Sequence, residues 1–324
     1  MSELRYNPLL NTYTIVAAIR QNRPNFPKDW CPFCPGEGKK VPNNYEVLVY
    51  PNDFPALDYQ NEIGNETANE TYSRKAAKGA CEVILYSPNH TANLYDLSDA
   101  HVLKLVKTWV ERFNFHKNFD DVKYIFPFEN RGKEVGVTMP HPHGQLYAYP
   151  FIPQKIETEI TNSKKYFEKH QVNLFDVMLK DEIAFQQRVV LETETFLVYL
   201  PFFTDYPYGI FIVSKKERLY ISDFNEEEQL ELSILLKKVV RMFDNLFAKT
   251  FPFMMCIHQG VVNSIEYPEA EQREFYRFHI EFYPPLRDEN AIKYYASSEM
   301  GAWAAANTKL VEETAKGLRN ALPK

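Results

Sequence analysis

The chain has 324 residues, 45% hydrophobic and 25% charged, which bounds it to a globular protein of one large or two medium domains. Its formal charge of −6 argues against a nucleic-acid partner, because phosphate neutralisation needs a concentrated basic surface. No stretch reaches the roughly 18 continuous apolar residues of a spanning helix, and the opening MSELRYNPLL lacks signal-peptide architecture, so no membrane partner and a cytoplasmic location are expected.

The first candidate loop is AIRQNRP, where Arg20 and Arg23 could clamp phosphate oxygens bidentately. WCPFCPGEG follows, with Cys31 and Cys34 turning tightly enough for both thiolates to reach one tetrahedral ion. The four cysteines of such a chain suggest metal ligands or reactive thiols rather than a disulfide frame. Two buried thiols are the plainer alternative, and no βαβ helix start follows to suggest a thioredoxin-type redox pair. His90, in YSPNHTAN, and His141 are the candidate remaining ligands.

Strands are expected at 45–50 and 81–86, then an amphipathic helix opening at Ser98, with Val102, Leu105, Val106, Trp109 and Phe113 on one stripe. A strand at 122–128 leads into FENRGKEVGVT. There Asn130, Gly136 and Thr138 sit in glycine-bearing turns that let backbone amides approach phosphate. TMPHPHGQLYAYP comes next. Its alternating aromatic run reads as a strand, and if extension reaches back to residue 141, then His141, His143 and Gln145 share one polar face. Two histidines bonded at a turn are the alternative reading.

A helix-rich segment spans roughly 154–185, followed by strands at 188–200 and 209–214. A second amphipathic helix opens at NEEE, where Asn225 can cap and Glu228 can reach back, and buries Leu232, Leu235, Leu236 and Val239. His258 lies on the strand MMCIHQG. On FYRFHIEFY, residues 275–283, Arg277, His279, Glu281 and Tyr283 share a face. His279 and Glu281 could ligate a metal together with His258, or form a hydrogen-bonded couple.

The order repeats itself. In both copies a strand ends at a serine (Ser87, Ser214), a capped helix follows, and a His-x-His or His-x-Glu strand closes the unit, about 130 residues apart. A duplicated α+β unit is expected, with halves at 1–170 and 171–324.

Seven segments in order carry a resemblance over nearly the whole chain: AIRQNRP, CPFC, YPNDFPAL, YSPNH, FENRG, HPHGQ and HIEFYPPL. Together they resemble the galactose-1-phosphate uridylyltransferase family of the histidine-triad superfamily. The resemblance implies an α+β fold of two histidine-triad-like halves, each an antiparallel half-barrel with packed helices, in a homodimer that shares active-site residues. It implies ping-pong conversion of UDP-glucose and galactose 1-phosphate to UDP-galactose and glucose 1-phosphate, through a uridylyl group on His143. Cys31, Cys34, His90 and His141 would bind zinc. Glu159, His258 and His279 would bind a second metal, zinc or iron, with Glu281 where the family usually has a histidine.

The same resemblance puts Asn52 and Asp53 on the ribose, and Arg20, Arg23, Asn130, Thr138 and Gln145 on phosphate or sugar. Lys293, Tyr294 and Glu299 match hexose-phosphate contacts, while Ala305 falls where a sugar-binding Gln is frequent. Gln145 stands where the hydrolase branch of the superfamily has a third histidine, and an amide cannot serve as a general acid. This points to a transferase. A phosphorylase or nucleotidyltransferase of the same fold using an ADP-sugar or dinucleoside polyphosphate is the alternative within the fold. A zinc-stabilised nucleotide-binding module without catalysis is the alternative outside it.

Overall fold

The structure is a computed structural model in which residues 2–22, 30–36, 39–63, 69 and 71–324 are described. Its first part runs β1 (Glu3–Asn7), β2 (Thr12–Val16), β3 (Leu48–Pro51), β4 (Arg74–Ala76), β5 (Ala80–Leu85), α1 (Asp99–Lys117), β6 (Tyr124–Arg131) and β7 (His143–Tyr149). Helices α2 (Gln154–His170) and α3 (Leu174–Phe185) follow. The second part runs β8 (Val189–Glu192), β9 (Phe196–Tyr199), β10 (Ile210–Ser214), α4 (Glu226–Leu246), β11 (Phe253–His258), α5 (Glu269–Phe275) and β12 (His279–Tyr283). Helices α6 (Ser297–Gly301) and α7 (Val311–Ala321) end the chain.

Among the described residues, nine strands form one antiparallel sheet in the order β3-β5-β7-β6-β11-β12-β10-β9-β8. Outward from the β6–β11 seam, β6, β7, β5 and β3 match β11, β12, β10 and β9 in order. The expected duplication is therefore visible in the topology: β5-α1-β6-β7 answers β10-α4-β11-β12.

Both long helices form as their sequences predict. Ser98 caps α1 by accepting from the His101 amide, and Val102, Leu105, Val106, Trp109 and Phe113 are buried. Asn225 accepts from the Glu228 amide at 2.9 Å and Glu228 returns the bond to the Asn225 amide at 3.0 Å, a reciprocal cap. The two helices pack together and cover one sheet face. The opposite face carries the alternating polar and aromatic side chains of β7, β6, β11 and β12.

Two expectations shift at their edges. The run 188–200 divides into β8 and β9, because Glu231 of α4 accepts from the Thr195 amide at 2.9 Å and holds a turn there. Of FYRFHIEFY only His279–Tyr283 joins the sheet. Phe275 closes α5, and the Phe278 amide donates to the Arg218 carbonyl outside the ladder. A small sheet, β2-β1-β4, was not apparent from patterning; its hairpin packs over Cys81 and Tyr147 and delivers the turn that carries Arg20.

Candidate active site

β7 begins at His143, so the strand reaches His143 and Gln145 but not His141, which sits in the bend just before it. The His143 Nδ1–H donates to the His141 carbonyl at 2.7 Å, which leaves the lone pair on Nε2. The ring stands 5.3 Å from that of Phe33. Gly144 lies between the two polar positions because a Cβ there would meet the Tyr86 hydroxyl at 2.3 Å, too close for any other residue without rearrangement.

One cavity beside His143 is lined by Arg20, Asn130, Gly136, Thr138, Gln145 and Tyr147, among others. Arg20 is held there by donating to the Tyr147 hydroxyl at 3.1 Å. The buried Thr138 hydroxyl has no hydrogen-bond partner among the described residues. An orphaned buried hydroxyl is costly unless a ligand satisfies it. Gly136 takes φ +77°, a left-handed turn that glycine adopts without strain. An adjoining cavity is lined by Phe33, Tyr50, Asn52, Asp53, Phe54 and Met139, with His143 and Gln145 at the boundary. A guanidinium, a hydroxyl and an amide around an imidazole lone pair suit an anion. In the neighbouring cavity the aromatic walls suit a flat ring, and the one carboxylate suits hydroxyl groups attached beside it.

Behind this strand, Cys31, Cys34, His90 and His141 offer ligand atoms all within 4.8 Å of one another. His141 donates from Nε2 to the Ser87 carbonyl at 2.7 Å, which points its Nδ1 lone pair toward Cys34 Sγ at 3.6 Å and Cys31 Sγ at 3.7 Å. His90 Nδ1 stands 3.3 Å from Cys34 Sγ. Burial pushes the His141 imidazole down to about 4, so it stays neutral and able to ligate near pH 7. Burial, with Cys31 beside it, pushes the Cys34 thiol up to about 11. Such a thiol is no free nucleophile, and a bound cation would reverse that preference. The set could hold a metal ion.

A second set, Glu159, His258, His279 and Glu281, also lies within 4.8 Å and could hold a metal ion. The His258 Nδ1–H donates to Glu159 at 2.9 Å, while His279 Nε2 stands 3.4 Å from Glu281. The His279 Nδ1–H donates to the Arg277 carbonyl at 2.9 Å, the counterpart of the His143 bond. Arg277 itself turns away to Asp176 of α3 at 2.6 Å.

Lys293, Tyr294 and Glu299 line neither cavity. Lys293 is buried against the stacked rings of Tyr206 and Tyr295, with its ammonium 3.6 Å from Glu299, while Tyr294 is exposed. Arg23 lies outside the described residues, and Ala305 is exposed. Three contributors were missed in the sequence. Tyr45 donates to the Ser87 carbonyl at 2.9 Å beside His141, Tyr50 donates to Asp53 at 2.8 Å, and Lys155 meets Glu281. For Lys155 a signal existed: it stands four residues before Glu159 on one helix face.

Two family models match, described as the N-terminal and C-terminal domains of galactose-1-phosphate uridyl transferase, over residues 1–153 and 159–324. A Thermotoga maritima galactose-1-phosphate uridylyltransferase is 39% identical over 321 residues, 98% of each chain. The Schizosaccharomyces pombe enzyme of that name is 31% identical over 91% of this chain and 87% of its own. A solved uridylyltransferase superposes with a TM-score of 0.88 at 27% identity, covering 98% of each chain. The half-and-half order of elements, the HPHGQ strand and these matches agree, and the chain belongs to the galactose-1-phosphate uridylyltransferase family.

Proposed function

We propose that this protein is a UDP-glucose–hexose-1-phosphate uridylyltransferase that works by double displacement through His143. The observation that carries the reading is the His143 Nδ1–H bond to the His141 carbonyl, which fixes Nε2 as the attacking nitrogen at the edge of a cavity holding Arg20, Gln145 and an unpartnered Thr138 hydroxyl. Neutral imidazole is nucleophilic near pH 7 without losing a proton first. In the first half-reaction Nε2 attacks the α-phosphorus of UDP-glucose and glucose 1-phosphate departs with the bridging oxygen. In the second, a phosphate oxygen of galactose 1-phosphate attacks the same phosphorus, and the imidazole leaves with its bonding pair. Arg20, Thr138 and the Gln145 amide donate to the phosphoryl oxygens as charge develops there. Arg23, Asn130 and the turn at Gly136 extend the phosphate and sugar contacts, and Asn52 and Asp53 take the ribose hydroxyls.

Zinc is the ion that suits two thiolates and two imidazoles in a closed tetrahedral set, and it would supply a structural crosslink there. Cys31, Cys34, His90 and His141 then hold the carbonyl that orients His143. Zinc or iron suits the mixed nitrogen and oxygen donors of the second set. Lys293, Tyr294 and Glu299 would meet the hexose phosphate of a partner's site in a homodimer. No described helix is long and apolar enough to cross a membrane, and a cytoplasmic location completes the proposal.

Intact-mass spectrometry after incubation with UDP-glucose alone tests the reading. One uridylyl group should appear on His143 as glucose 1-phosphate is released, and galactose 1-phosphate should discharge it. His143→Asn should lose both half-reactions while nucleotide binding changes little, since the attacking atom contributes mainly in the transition state. An active wild type without adduct, or an adduct on His141, defeats the mechanism. Adduct formation from ADP-glucose but not UDP-glucose transfers the assignment to an ADP-sugar enzyme, and nucleotide binding without an adduct from either donor points to a non-catalytic module.

A further inference from the structure

The second cluster already contains a positive charge supplied by the chain. Lys155, in the first turn of α2, sets its ammonium 2.5 Å from Glu281 Oε2 and 3.8 Å from Glu159 Oε1. It also donates to the Tyr283 hydroxyl and lies 4.7 Å from the centre of that ring. The side chains of His258, His279 and Glu281 are at most 3% exposed, whereas that of Lys155 is 55% exposed. The lysine therefore reaches the buried nest from the solvent side, with about half of its side chain still exposed.

A carboxylate as deep as that of Glu281, with the less buried Glu159 beside it, requires counter-charge. A divalent ion held by the four donors would share Glu281 with the ammonium, and two cations so close repel strongly where water is scarce. The two histidines do not force a choice. His279 keeps Nδ1 on the Arg277 carbonyl and His258 keeps Nδ1 on Glu159, so each can present Nε2 to either occupant. The conflict lies at the carboxylates, chiefly Glu281, with Glu159 the more distant of the two from the ammonium.

We propose that Lys155 is the built-in counter-ion of this cluster and competes with a divalent metal for Glu281, so that metal enters only as the lysine withdraws. The half-exposed side chain allows that withdrawal without moving the helix. This inference stands apart from the transfer reaction and holds whatever the nucleotide donor proves to be.

Equilibrium dialysis of the full chain against cobalt(II), with bound metal counted per chain and the Cys31/Cys34 set left intact, reads the competition directly. Lys155→Met keeps the apolar stem and removes the charge. It should bind one further cobalt ion more tightly than wild type by about tenfold or more. Lys155→Arg keeps the cation and should stay as weak as wild type. Tyr283→Phe removes an anchor of the lysine without removing a cluster donor and should fall between. Adding His279→Asn to Lys155→Met should abolish the extra ion. Unchanged cobalt affinity in Lys155→Met overturns the proposal, as does a gain that survives His279→Asn. Should Lys155→Met not fold, unchanged affinity in Tyr283→Phe overturns it instead.

Discussion

Asp53 is held in place by two neighbours. Tyr50 donates to one carboxylate oxygen at 2.8 Å and Lys40 to the other at 2.5 Å, so the group is braced at the mouth of the aromatic cavity. The Tyr50 bond is the more sheltered, since Tyr50 is buried against Phe33 while Lys40 stands in solvent. If ribose docks on Asp53, Tyr50→Phe should raise KM for UDP-glucose about fivefold, roughly one hydrogen bond of 1 kcal/mol, and leave kcat nearly unchanged. Steady-state kinetics decide: a fall in kcat at constant KM removes Tyr50 from this role. At this scale legibility followed sequence distance. His143 and Gln145 could be placed on one face because a strand repeats every second residue, whereas His141, in the bend before the strand, turns to the cysteines instead. Tyr45 could not, because it reaches His141 across 96 residues and only the fold brings them together.

The Cys31–Cys34 turn acts as a clasp on the open face of the sheet. Phe33, Val41 and Tyr50 pack with Val83, Leu85 and Met139, and an ion held by the four donors would pin this layer to His90 and His141. Cys31→Ser/Cys34→Ser should lose about one zinc per chain and, through the loosened clasp, melt about 5 °C or more below wild type. Metal analysis with calorimetry checks both, and unchanged zinc content rejects the assignment. Elements with strong periodicity were legible: α1, α4 and β7 follow their apolar spacing and caps. The β1–β2 hairpin was not, since most of its residues are only half-buried and show no clean alternation. Nor was the break between β8 and β9, whose turn at Thr193–Thr195 contains neither glycine nor proline.

The two halves are one sheet, and the seam between them is locked from the helix side. Arg131 of β6 donates to both oxygens of Asp244 on α4, at 2.6 and 2.8 Å. Asp244 also accepts from Tyr95 and from the Phe251 amide, both at 2.8 Å. Asp244→Ala would take away the carboxylate partner of the Arg131 guanidinium, only 13% exposed, leaving it the Asn93 and Phe251 oxygens, and should lower unfolding stability by about 2–4 kcal/mol. Denaturant titration measures this, and adding Arg131→Leu should recover part of the loss. A change below about 1 kcal/mol would show that the seam does not depend on this pair.

The repeat also sets one imidazole posture in two electrical surroundings. His143 and His279 each open a matching strand, and each gives its Nδ1–H to the carbonyl two residues earlier. Two residues later comes the difference, an amide at Gln145 and an acid at Glu281. A phosphate approaching His143 meets donors, whereas one approaching His279 meets the negative charge of Glu281 and Glu159. Between the halves, then, preference for an anion or a cation turns on the sign of the local charge more than on the shape of the backbone. On the proposed roles, the oxygen-for-nitrogen exchange that separates Glu from Gln would let the same strand architecture hold an electrophile in one copy and a counter-ion in the other.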